Sequence, residues 1–382
     1  MRVLFSSTRG TGHLQPLVPY ARALLHRGHQ VLVAGPAELE GPVREAGLPH
    51  APFGHPGDAS LSPLWARLRG LSTEQANALA VREIFAGANA VAALPQLQET
   101  IRAFRPDLIV RDSVEFAALV AAQRAGVPHA RVAVHMVSFE ETIPPLVREP
   151  IDRLRQDAGL PPDEGASLGS EPVFTAFPAS LDGPAGESQR APFRSRPRDD
   201  GPTADGTWAT GDGRPLVYIT FGTIAGGVQS AHAAYRAALD AVAELPVSAL
   251  LTTGRGLPAD ALGTIPANVR VEPWVPQRDV LPHVAALVCH AGSGTLVGAL
   301  GAGVPMVAVP LFADQPHNAS RVEAVGAGLA LSTRDSGALR TALQRVLGEP
   351  GFRGAARRLA EEIAALPPVD AAVDLFAGLD AR

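Results

Sequence analysis

The sequence predicts an α/β protein with two doubly wound domains, each built on a parallel sheet that helices cover on both faces. Short apolar runs typical of buried strands alternate with helical patterns in the first half of the chain, and the same alternation begins again at Pro215. Between the halves, residues 182–215 are dense in Gly, Pro, Asp, Arg and Ser, as expected of a connector between domains. A length of 382 residues also exceeds that of one ordinary core.

The first half is predicted to contain two strand–helix–strand units, which give a right-handed βαβ connection when the strands are parallel. Residues 60–103, between the two units, have a mostly helical pattern. The predicted elements are strand Val3–Ser6, helix Leu14–Arg27, strand Gln30–Ala34, strand Asp107–Val110, helix Val114–Ala125 and strand Ala130–Val134.

The second half repeats this organisation, and its tail from Phe352 onward is predicted to form two helices broken at Pro367 and Pro368. The predicted elements are strand Leu216–Thr220, helix Ala231–Ala243, strands Ser248–Thr252, Val269–Glu272 and Ala286–Cys289, helix Thr295–Gly301 and strand Met306–Val309. We therefore expect an N-terminal domain over 1–205 that includes the connector, a C-terminal domain over 214–365, and a last helix over 366–382 that packs back on the N-terminal domain.

Composition excludes several classes of protein. The formal charge of −5 gives no basic excess for a nucleic acid or an anionic membrane. All 33 cationic residues are Arg, so no lysine nucleophile is available. The single Cys289 excludes an internal disulfide and a multi-cysteine metal site. The first apolar run is too short for a signal peptide and the longer ones are interrupted, so we expect no membrane span and a cytoplasmic protein.

Two glycine-rich turns follow predicted strands, where open parallel sheets bind their ligands. Residues 290–295, HAGSGT, form a turn that opens a helix, and free backbone amides and the helix dipole favour an anion there. Such a turn also serves simply to pack strand against helix. The other turn, RGTGHLQP over 9–16, contains His13.

With these motifs, the chain resembles the inverting family 1 glycosyltransferases of the GT-B fold, especially those that act on bacterial natural products. The resemblance covers nearly the whole chain. It rests on GHLQP, on TFGT at 220–223, on EPWVPQRDVLPH at 272–283, on HAGSGT at 290–295 and on ADQPHNA at 313–319. It implies two Rossmann-like domains that face each other across a cleft, with the acceptor on the first and the nucleotide-sugar donor on the second. It also implies inversion at the anomeric carbon by direct displacement.

The resemblance assigns donor-binding roles in the second domain. Trp274 stacks on the nucleobase, while backbone groups near Val275 and Gln277 bind the edge of the base. Asp314 and Gln315 hold sugar hydroxyls. His290 donates to the diphosphate within a cradle completed by Gly222, Thr223, Gly292, Ser293, Gly294 and Thr295. Structural alternatives stay open: Trp274 as a core residue, His290 as a buried histidine satisfied by backbone, and Asp314 as a helix cap.

On the acceptor side, the resemblance assigns His13 as the general base and Asp112 as the carboxylate that orients its imidazole. An alcohol is almost entirely protonated at neutral pH, so its attack on an anomeric carbon benefits from a base that removes the proton as the bond forms. Imidazole titrates in the right range. The alternatives are that His13 caps its helix and that Asp112 caps the helix after it. His29 is interpreted as structural. The acceptor pocket is implied to include Gly12, Trp65, Phe85, His135, Met136 and Phe139, which suits a hydrophobic aglycone such as a polyketide.

The sequence contains no D-x-D pair, so we expect no metal site and no cofactor beyond the nucleotide-sugar itself. In family members that use UDP-glucose, an acidic residue commonly stands eight positions after the phosphate-loop histidine and binds the ribose hydroxyls. This chain has Gly298 at that position. This favours a dTDP-sugar over a UDP-sugar. A UDP-glucose-dependent glycosyltransferase and a nucleotide-sugar epimerase of the same fold remain alternatives. A binding protein without catalysis is disfavoured, because it would be expected to lose His13 or Asp112 and both are present. A homodimer stays open. A dinucleotide-dependent oxidoreductase is disfavoured, because RGTGHLQP lacks the third glycine and no acidic residue ends the second strand.

Overall fold

Parallel strands form the framework of both halves of the chain. The computed structural model describes residues 1–183, 191–196, 213–254 and 256–380. These residues divide into two units: the first contains Met1–Phe177, 191–196 and 366–380, and the second contains Pro178–Gly183, 213–254 and 256–365. The α/β class and the two doubly wound halves are therefore confirmed.

The first unit contains a seven-stranded sheet in the order β3-β2-β1-β4-β5-β6-β7, and every neighbouring pair is parallel. Its strands are β1 Arg2–Ser6, β2 Gln30–Pro36, β3 His50–Phe53, β4 Leu108–Asp112, β5 His129–Val132, β6 Val173–Thr175 and β7 Phe193–Arg194.

The second unit contains a six-stranded parallel sheet in the order β10-β9-β8-β11-β12-β13. Its strands are β8 Leu216–Thr220, β9 Ser248–Thr252, β10 Val269–Glu272, β11 Val284–Cys289, β12 Met306–Ala308 and β13 Gly328–Ala330.

Helices connect the strands in both units. They are α1 Thr11–Leu14, α2 Val18–His26, α3 Glu40–Glu45, α4 Asp58–Leu68, α5 Thr73–Leu79, α6 Ala90–Phe104, α7 Phe116–Ala125, α8 Val137–Glu140, α9 Pro144–Asp157, α10 Ala179–Asp182, α11 His232–Ala243, α12 Gln277–Val280, α13 Ser293–Gly301, α14 Gln315–Ala324, α15 Ser336–Gly348, α16 Pro350–Ala365 and α17 Asp370–Asp380. A π-helix spans Ala80–Asn89, and 3-10 helices span Ala37–Leu39, Ala225–Gly227, Gln229–Ala231, Ala259–Leu262 and Leu281–His283.

The first sheet is buried on both faces. Val3 and Phe5 of β1 belong to one apolar cluster, and Leu4 between them belongs to another on the opposite face. The last helix contributes to the first cluster, since Phe376 of α17 packs against Phe174 with ring centroids 4.4 Å apart. This two-sided burial explains why the strands have almost continuous apolar sequences.

Several predicted elements differ in their bounds from the observed ones, and strands β3, β6 and β13 were not predicted. Two of the differences have a clear physical reason. The predicted helix Leu14–Arg27 is two helices, α1 and α2, because Pro16 and Pro19 have no N–H with which to continue the hydrogen-bond ladder. The predicted strand Asp107–Val110 continues to Asp112, because Arg111 is buried and paired rather than marking the strand's end.

The predicted connector also contains structure. β7 pairs with β6 in the first sheet, a strand that the composition does not reveal. Residues 178–183 lie in the second unit rather than the N-terminal domain, because Arg321 donates from Nε to the carbonyl oxygen of Leu181 at 2.8 Å and from Nη2 to that of Ser180 at 3.2 Å. The remainder, residues 184–190 and 197–212, lies outside the described residues.

One helical stretch, Thr73–Phe104, is long and apolar enough to cross a membrane by length and composition alone. In the structure it comprises α5, the π-helix and α6. One third of its most apolar window is buried: Leu94, Leu97 and Ile101 pack in the second core cluster of the first unit, whereas Val91 is exposed. A core helix of a globular domain satisfies the same criterion as a membrane span.

Candidate functional site

The first half-site lies at the carboxyl ends of β1 and β4, which are adjacent parallel strands. His13 lies in α1 after β1, and Asp112 is the last residue of β4. The structure brings these two predicted residues together, with His13 Nδ1 3.7 Å from Asp112 Oδ1. This distance is that of an ion pair rather than of a hydrogen bond. The turn that carries His13 is tied to the same carboxylate, because the Thr8 N–H donates to Asp112 Oδ2 at 2.7 Å.

Asp112 is completely buried and held by backbone amides. Its Oδ1 accepts from the N–H groups of Val114 at 2.8 Å and Glu115 at 3.0 Å. Burial opposes ionisation, but the charge of a protonated His13 and the amides of Thr8 and Val114 lower the pKa of Asp112 below its usual value. The carboxylate is therefore an anion placed behind the imidazole, the arrangement that stabilises an imidazolium.

The cap of α7 is Glu115 rather than Asp112. The Glu115 side chain accepts from the N–H groups of Ala117 and Ala118, at 3.1 and 2.9 Å, and from the Ser6 hydroxyl at 2.8 Å. Burial and the neighbouring Asp112 charge raise the pKa of Glu115 to about 7. Asp112, which lies beside His13, and its neighbour Glu115 are thus two buried carboxyl groups in different protonation regimes.

Aromatic rings surround His13. Its imidazole lies 5.7 Å from the Phe85 ring and 6.3 Å from the His135 ring, the latter edge to face, and His135 lies 5.3 Å from Phe139. Three of the predicted acceptor-pocket residues therefore form one continuous wall with the predicted base. Phe85 comes from the π-helix, a conformation that occurs frequently at functional sites.

The other three predicted pocket residues are placed differently. Met136 is 0% exposed, so its side chain belongs to the core and lines no open pocket. Trp65 lies on α4, 46% exposed, and makes no ring contact with the wall around His13. Gly12 is an exposed residue of α1 next to His13.

Sequence reasoning missed a network of buried charges beneath this wall. Arg111 on β4 and Arg131 on β5 are register partners. Glu171 lies between them, with Oε2 accepting from Arg111 Nε at 3.1 Å and Oε1 lying 3.6 Å from Arg131 Nε. Arg131 also pairs with Glu140 at 3.1 Å, and the Ser113 hydroxyl donates to the same carboxylate. An arginine inside an otherwise apolar strand is the signal that could have revealed these pairs.

The second half-site begins with the loops after β8 and β11, again adjacent parallel strands. His290 follows β11 and is buried between two glycines of these loops. A Cβ at Gly292 would lie 2.3 Å from His290 Nε2, and one at Gly222 would lie 2.8 Å from the same atom. The absence of a Cβ at these two glycines therefore leaves room for the imidazole. It also leaves their backbone groups accessible. Thr223, beside Gly222, is exposed.

The His290 imidazole is neutral at physiological pH. Burial lowers its pKa to about 4, although the Asp314 charge and the Thr220 backbone act in the opposite direction. The side chain can therefore donate one hydrogen bond to a phosphate oxygen but brings no fixed positive charge. The alternative of a buried neutral histidine and the predicted donor role are compatible.

Helix α13 opens directly after this histidine. Its first helical hydrogen bond joins Leu296 N–H to Gly292 O at 3.0 Å, so the amides of Ser293, Gly294 and Thr295 lie outside the helical ladder. The helix has no acidic residue in its first turn. The predicted phosphate turn thus presents free donors and the positive end of a helix dipole.

The sugar-binding pair lies in the loop after β12. Asp314 Oδ2 accepts from the Ser293 hydroxyl at 2.9 Å and from Asn318 Nδ2 at 2.7 Å, and it makes no capping bond to α14. Gln315 Oε1 accepts from the amides of Leu311 and Phe312. The second Asp314 oxygen and the Gln315 amide nitrogen are therefore the atoms suited to a sugar hydroxyl.

Asn318 is a further residue that sequence reasoning did not identify. It is completely buried and its Nδ2 donates both to Asp314 and to the carbonyl oxygen of Ala291, the latter at 2.9 Å. Ala291 has φ of 64°, a left-handed conformation that is strained for a residue with a side chain. Asn318 thus joins the phosphate loop to the sugar loop. The position of Asn318 within the ADQPHNA motif was the signal from which the sequence could have identified it.

The predicted base-binding residues follow β10. Trp274 is 62% exposed, so it is not a core residue, whereas the Val275 side chain is buried. Gln277 Nε2 donates to the Thr295 hydroxyl at 3.3 Å, which joins this loop to the phosphate turn. A Cβ at Gly298 would lie 3.8 Å from Gln277 Oε1. Among the described residues, no group of three or more His, Cys, Asp and Glu side chains could hold a metal ion.

Two family models match the chain. The N-terminal domain of erythromycin biosynthesis protein CIII-like proteins matches residues 22–142, and their C-terminal domain matches residues 236–377. The chain is 32% identical to the 4'-demethylrebeccamycin synthase of Lentzea aerocolonigenes, with 99% of each chain covered. It is 34% identical to the L-demethylnoviosyl transferase of Streptomyces niveus, covering 96% of this chain and 95% of the relative.

The fold also matches solved structures. The crystal structure of the glycosyltransferase VinC in complex with dTDP is 25% identical, covers 100% of both chains and superposes with a TM-score of 0.78. The two half-sites described above therefore occur in the fold of known glycosyltransferases. The chain belongs to the erythromycin biosynthesis protein CIII-like family of natural-product glycosyltransferases and is a GT-B enzyme of that class.

Proposed function

We propose that the protein transfers a sugar, in the first instance a deoxysugar, from a dTDP-sugar to a hydroxyl of a hydrophobic natural-product aglycone, with inversion and without a metal ion. The observation that carries this proposal is the His13–Asp112 pair inside an aromatic wall. It supplies a base on a surface suited to a flat apolar acceptor. Relatives named as elloramycin and oleandomycin glycosyltransferases support the same substrate class.

In the proposed reaction, His13 removes the proton of the acceptor hydroxyl as its oxygen attacks the anomeric carbon. The bond from that carbon to the diphosphate oxygen breaks at the same time, and the nucleoside diphosphate leaves with the electron pair. Asp112 stabilises the imidazolium that forms. Attack from the face opposite the leaving group inverts the anomeric centre.

Charge on the leaving diphosphate is proposed to be stabilised by protein donors alone. The amides at the start of α13 and a hydrogen bond from the neutral His290 converge there. Asp314 and Gln315 hold the sugar, and Trp274 offers an exposed face for the base. Preorganised donors of this kind can serve without a cofactor.

The nucleotide is proposed to be dTDP because of Gly298. A carboxylate at this position would lie near Gln277 and could bind a ribose hydroxyl, whereas glycine offers no such partner. A 2′-deoxyribose has no 2′-hydroxyl to satisfy. The dTDP bound to VinC, a structural relative, supports this choice. We expect the enzyme to act in the cytoplasm.

Two measurements test the proposal. Equilibrium titration should show tighter binding of dTDP than of UDP, and tighter UDP binding would contradict the donor assignment. Release of nucleoside diphosphate should occur only in step with consumption of an acceptor. Conversion of the sugar nucleotide without any acceptor would instead identify an epimerase.

A further inference from the structure

The turn after β4 carries the carboxylate proposed to orient the base, and a buried guanidinium lies against the carbonyl groups of this turn. Arg111 Nη1 donates to the carbonyl oxygens of Asp112 at 2.9 Å, Ser113 at 3.0 Å and Glu115 at 3.4 Å. The Arg111 side chain is only 2% exposed. The guanidinium therefore supports the turn from inside the domain.

One peptide group joins this guanidinium to the carboxylate. Its carbonyl oxygen, from Ser113, accepts from Arg111 Nη1 at 3.0 Å. Its N–H, from Val114, donates to Asp112 Oδ1 at 2.8 Å. The C=O and N–H of a trans peptide lie in one rigid plane and point in opposite directions. A rotation of this peptide group that breaks the first hydrogen bond therefore disturbs the second.

Glu171 holds the guanidinium by another edge. Its Oε2 accepts from Arg111 Nε at 3.1 Å and its Oε1 accepts from Nη2, so Nη1 is directed to the turn. Burial opposes ionisation of Glu171, but the charges of Arg111 and Arg131 lower its pKa below its usual value. The planar fork of an arginine can thus bind a carboxylate and a set of carbonyl groups at the same time.

We propose that Arg111, held by Glu171, is a positioning residue for the transfer reaction. It fixes the turn whose amides hold Asp112 Oδ1, and through this carboxylate it fixes the orientation of His13. This inference rests on the proposed function. A displacement of about 1 Å in a catalytic group can reduce the rate about 100-fold. Loss of this support should therefore lower turnover, whereas dTDP affinity should persist because the donor half-site lies in the other unit.

The test variant is Arg111→Met/Glu171→Gln, which removes both charges together, so that neither ion stays buried without its partner. Arg131 keeps its ion pair with Glu140, at 3.1 Å. Transfer is measured as release of dTDP from dTDP-rhamnose with 2-hydroxyanthraquinone as the acceptor. We expect kcat to fall about 10- to 100-fold while dTDP affinity stays within about twofold. An unchanged kcat would overturn the inference.

The matched control is Arg155→Met/Asp163→Asn, a second buried ion pair in the same unit. Arg155 Nη1 lies 3.1 Å from Asp163 Oδ2, and its Nε donates to the carbonyl oxygen of Pro161 at 2.9 Å. This arginine also joins a carboxylate to a loop carbonyl, but the loop is not the one that carries Asp112. The control should keep kcat within about twofold. An equal loss in both double variants would contradict a specific positioning role.

A double-mutant comparison separates positioning from a merely structural role. In a His13→Ala background, no imidazole remains to be oriented. The Arg111→Met/Glu171→Gln pair should then lower the residual turnover by less than about twofold, because its effect passes through His13. A further loss as large as that in the wild-type background would refute the proposed route.

Hydrogen exchange tests the support of the turn without any acceptor. The amides of Val114 and Glu115 should lose protection in the Arg111→Met/Glu171→Gln variant and keep it in the control. Glu171→Gln alone should show the same change to a smaller extent, and it replaces the double variant if that protein does not fold. Retained protection of both amides would overturn the inference, whatever the turnover.

These measurements distinguish this inference from the proposed function. If the wild type transfers the sugar and the double variant does so equally well, only the positioning role fails. If the wild type shows no acceptor-dependent release of dTDP with any acceptor, the proposed function fails and this inference fails with it. Thermal midpoints establish that each variant is folded.

Discussion

The most direct test of the donor half-site is Gly292→Ala. The Gly292 backbone has φ of −67° and ψ of 141°, which any residue can adopt, so the substitution introduces no backbone strain. Its new Cβ would lie 2.3 Å from His290 Nε2 and 2.8 Å from Cε1. The imidazole cannot retreat freely, because it is buried and the backbone of Gly222 is also close, so that a Cβ there would lie 2.8 Å from the same nitrogen. His290 must therefore change position.

Overpacking at a buried site costs about 1 to 3 kcal/mol, and the same displacement removes the hydrogen bond that His290 is proposed to give the diphosphate. We expect Gly292→Ala to weaken dTDP binding by about 10- to 150-fold, the equivalent of the about 1.5 to 3 kcal/mol that one hydrogen bond to a charged group contributes. Isothermal titration with dTDP measures this directly. Turnover should fall in parallel.

Gly348→Ala is the control, because Gly348 ends α15, outside the phosphate turn, and its Cβ would meet nothing within 4 Å. It should leave dTDP affinity within about twofold, since no overpacking occurs at that position. In a His290→Ala background, Gly292→Ala should add little to the loss already present, because the clash has been removed. Unchanged affinity in Gly292→Ala, or an equal added loss in the His290→Ala background, would refute the idea that this glycine serves the imidazole.

Other predictions concern the base, metal ions and a buried carboxyl group. His13→Ala should reduce transfer by more than about 100-fold with dTDP affinity unchanged, and a folded variant that keeps a tenth of turnover would exclude this role for His13. Turnover in excess chelator should equal that without it, whereas inhibition reversed by Mg²⁺ or Mn²⁺ would contradict a metal-free mechanism. The pKa of Glu115 is raised to about 7 in the folded protein. Between the usual pKa of 4.5 and pH 7, the folded protein therefore binds more protons than the unfolded protein, so the wild type loses stability as the pH rises through this window. Glu115→Gln retains a capping oxygen and does not titrate, so its thermal midpoint should fall less between pH 5 and pH 8 than that of the wild type. An equal fall of the two thermal midpoints would show that Glu115 does not titrate in this range.

The fold was largely predictable because both sheets are parallel and covered on both faces. Such strands have short apolar sequences, and helices separate them at regular intervals, so hydrophobic pattern alone located most of them. Errors arose where pattern and packing disagree. β7 has two residues, too few for any periodicity, and it forms only because the edge of β6 is available.

The residues assigned to ligand contact were easier to locate from the sequence than the residues that support them. His13, His290 and Asp314 stand in motifs at strand ends, where parallel sheets bind ligands. Their supports are distant in sequence or hidden in apolar runs. Glu171 lies 60 residues from Arg111, and no local rule pairs them. Met136 was assigned to the acceptor pocket together with its chain neighbours His135 and Phe139, but its side chain is completely buried.

Asp112 shows why some alternatives cannot be separated from sequence. The two interpretations were a cap of the following helix and a carboxylate that orients the imidazole of His13. Glu115 caps that helix instead, whereas Asp112 accepts from the amides of Thr8 and Val114 and lies 3.7 Å from His13 Nδ1. Burial opposes ionisation of Asp112, but the charge of a protonated His13 and the amides of Thr8 and Val114 lower its pKa below its usual value. The carboxylate that accepts these amides is thus the same one that lies beside the imidazole. Evidence for its structural bonds therefore does not count against a role in orienting His13.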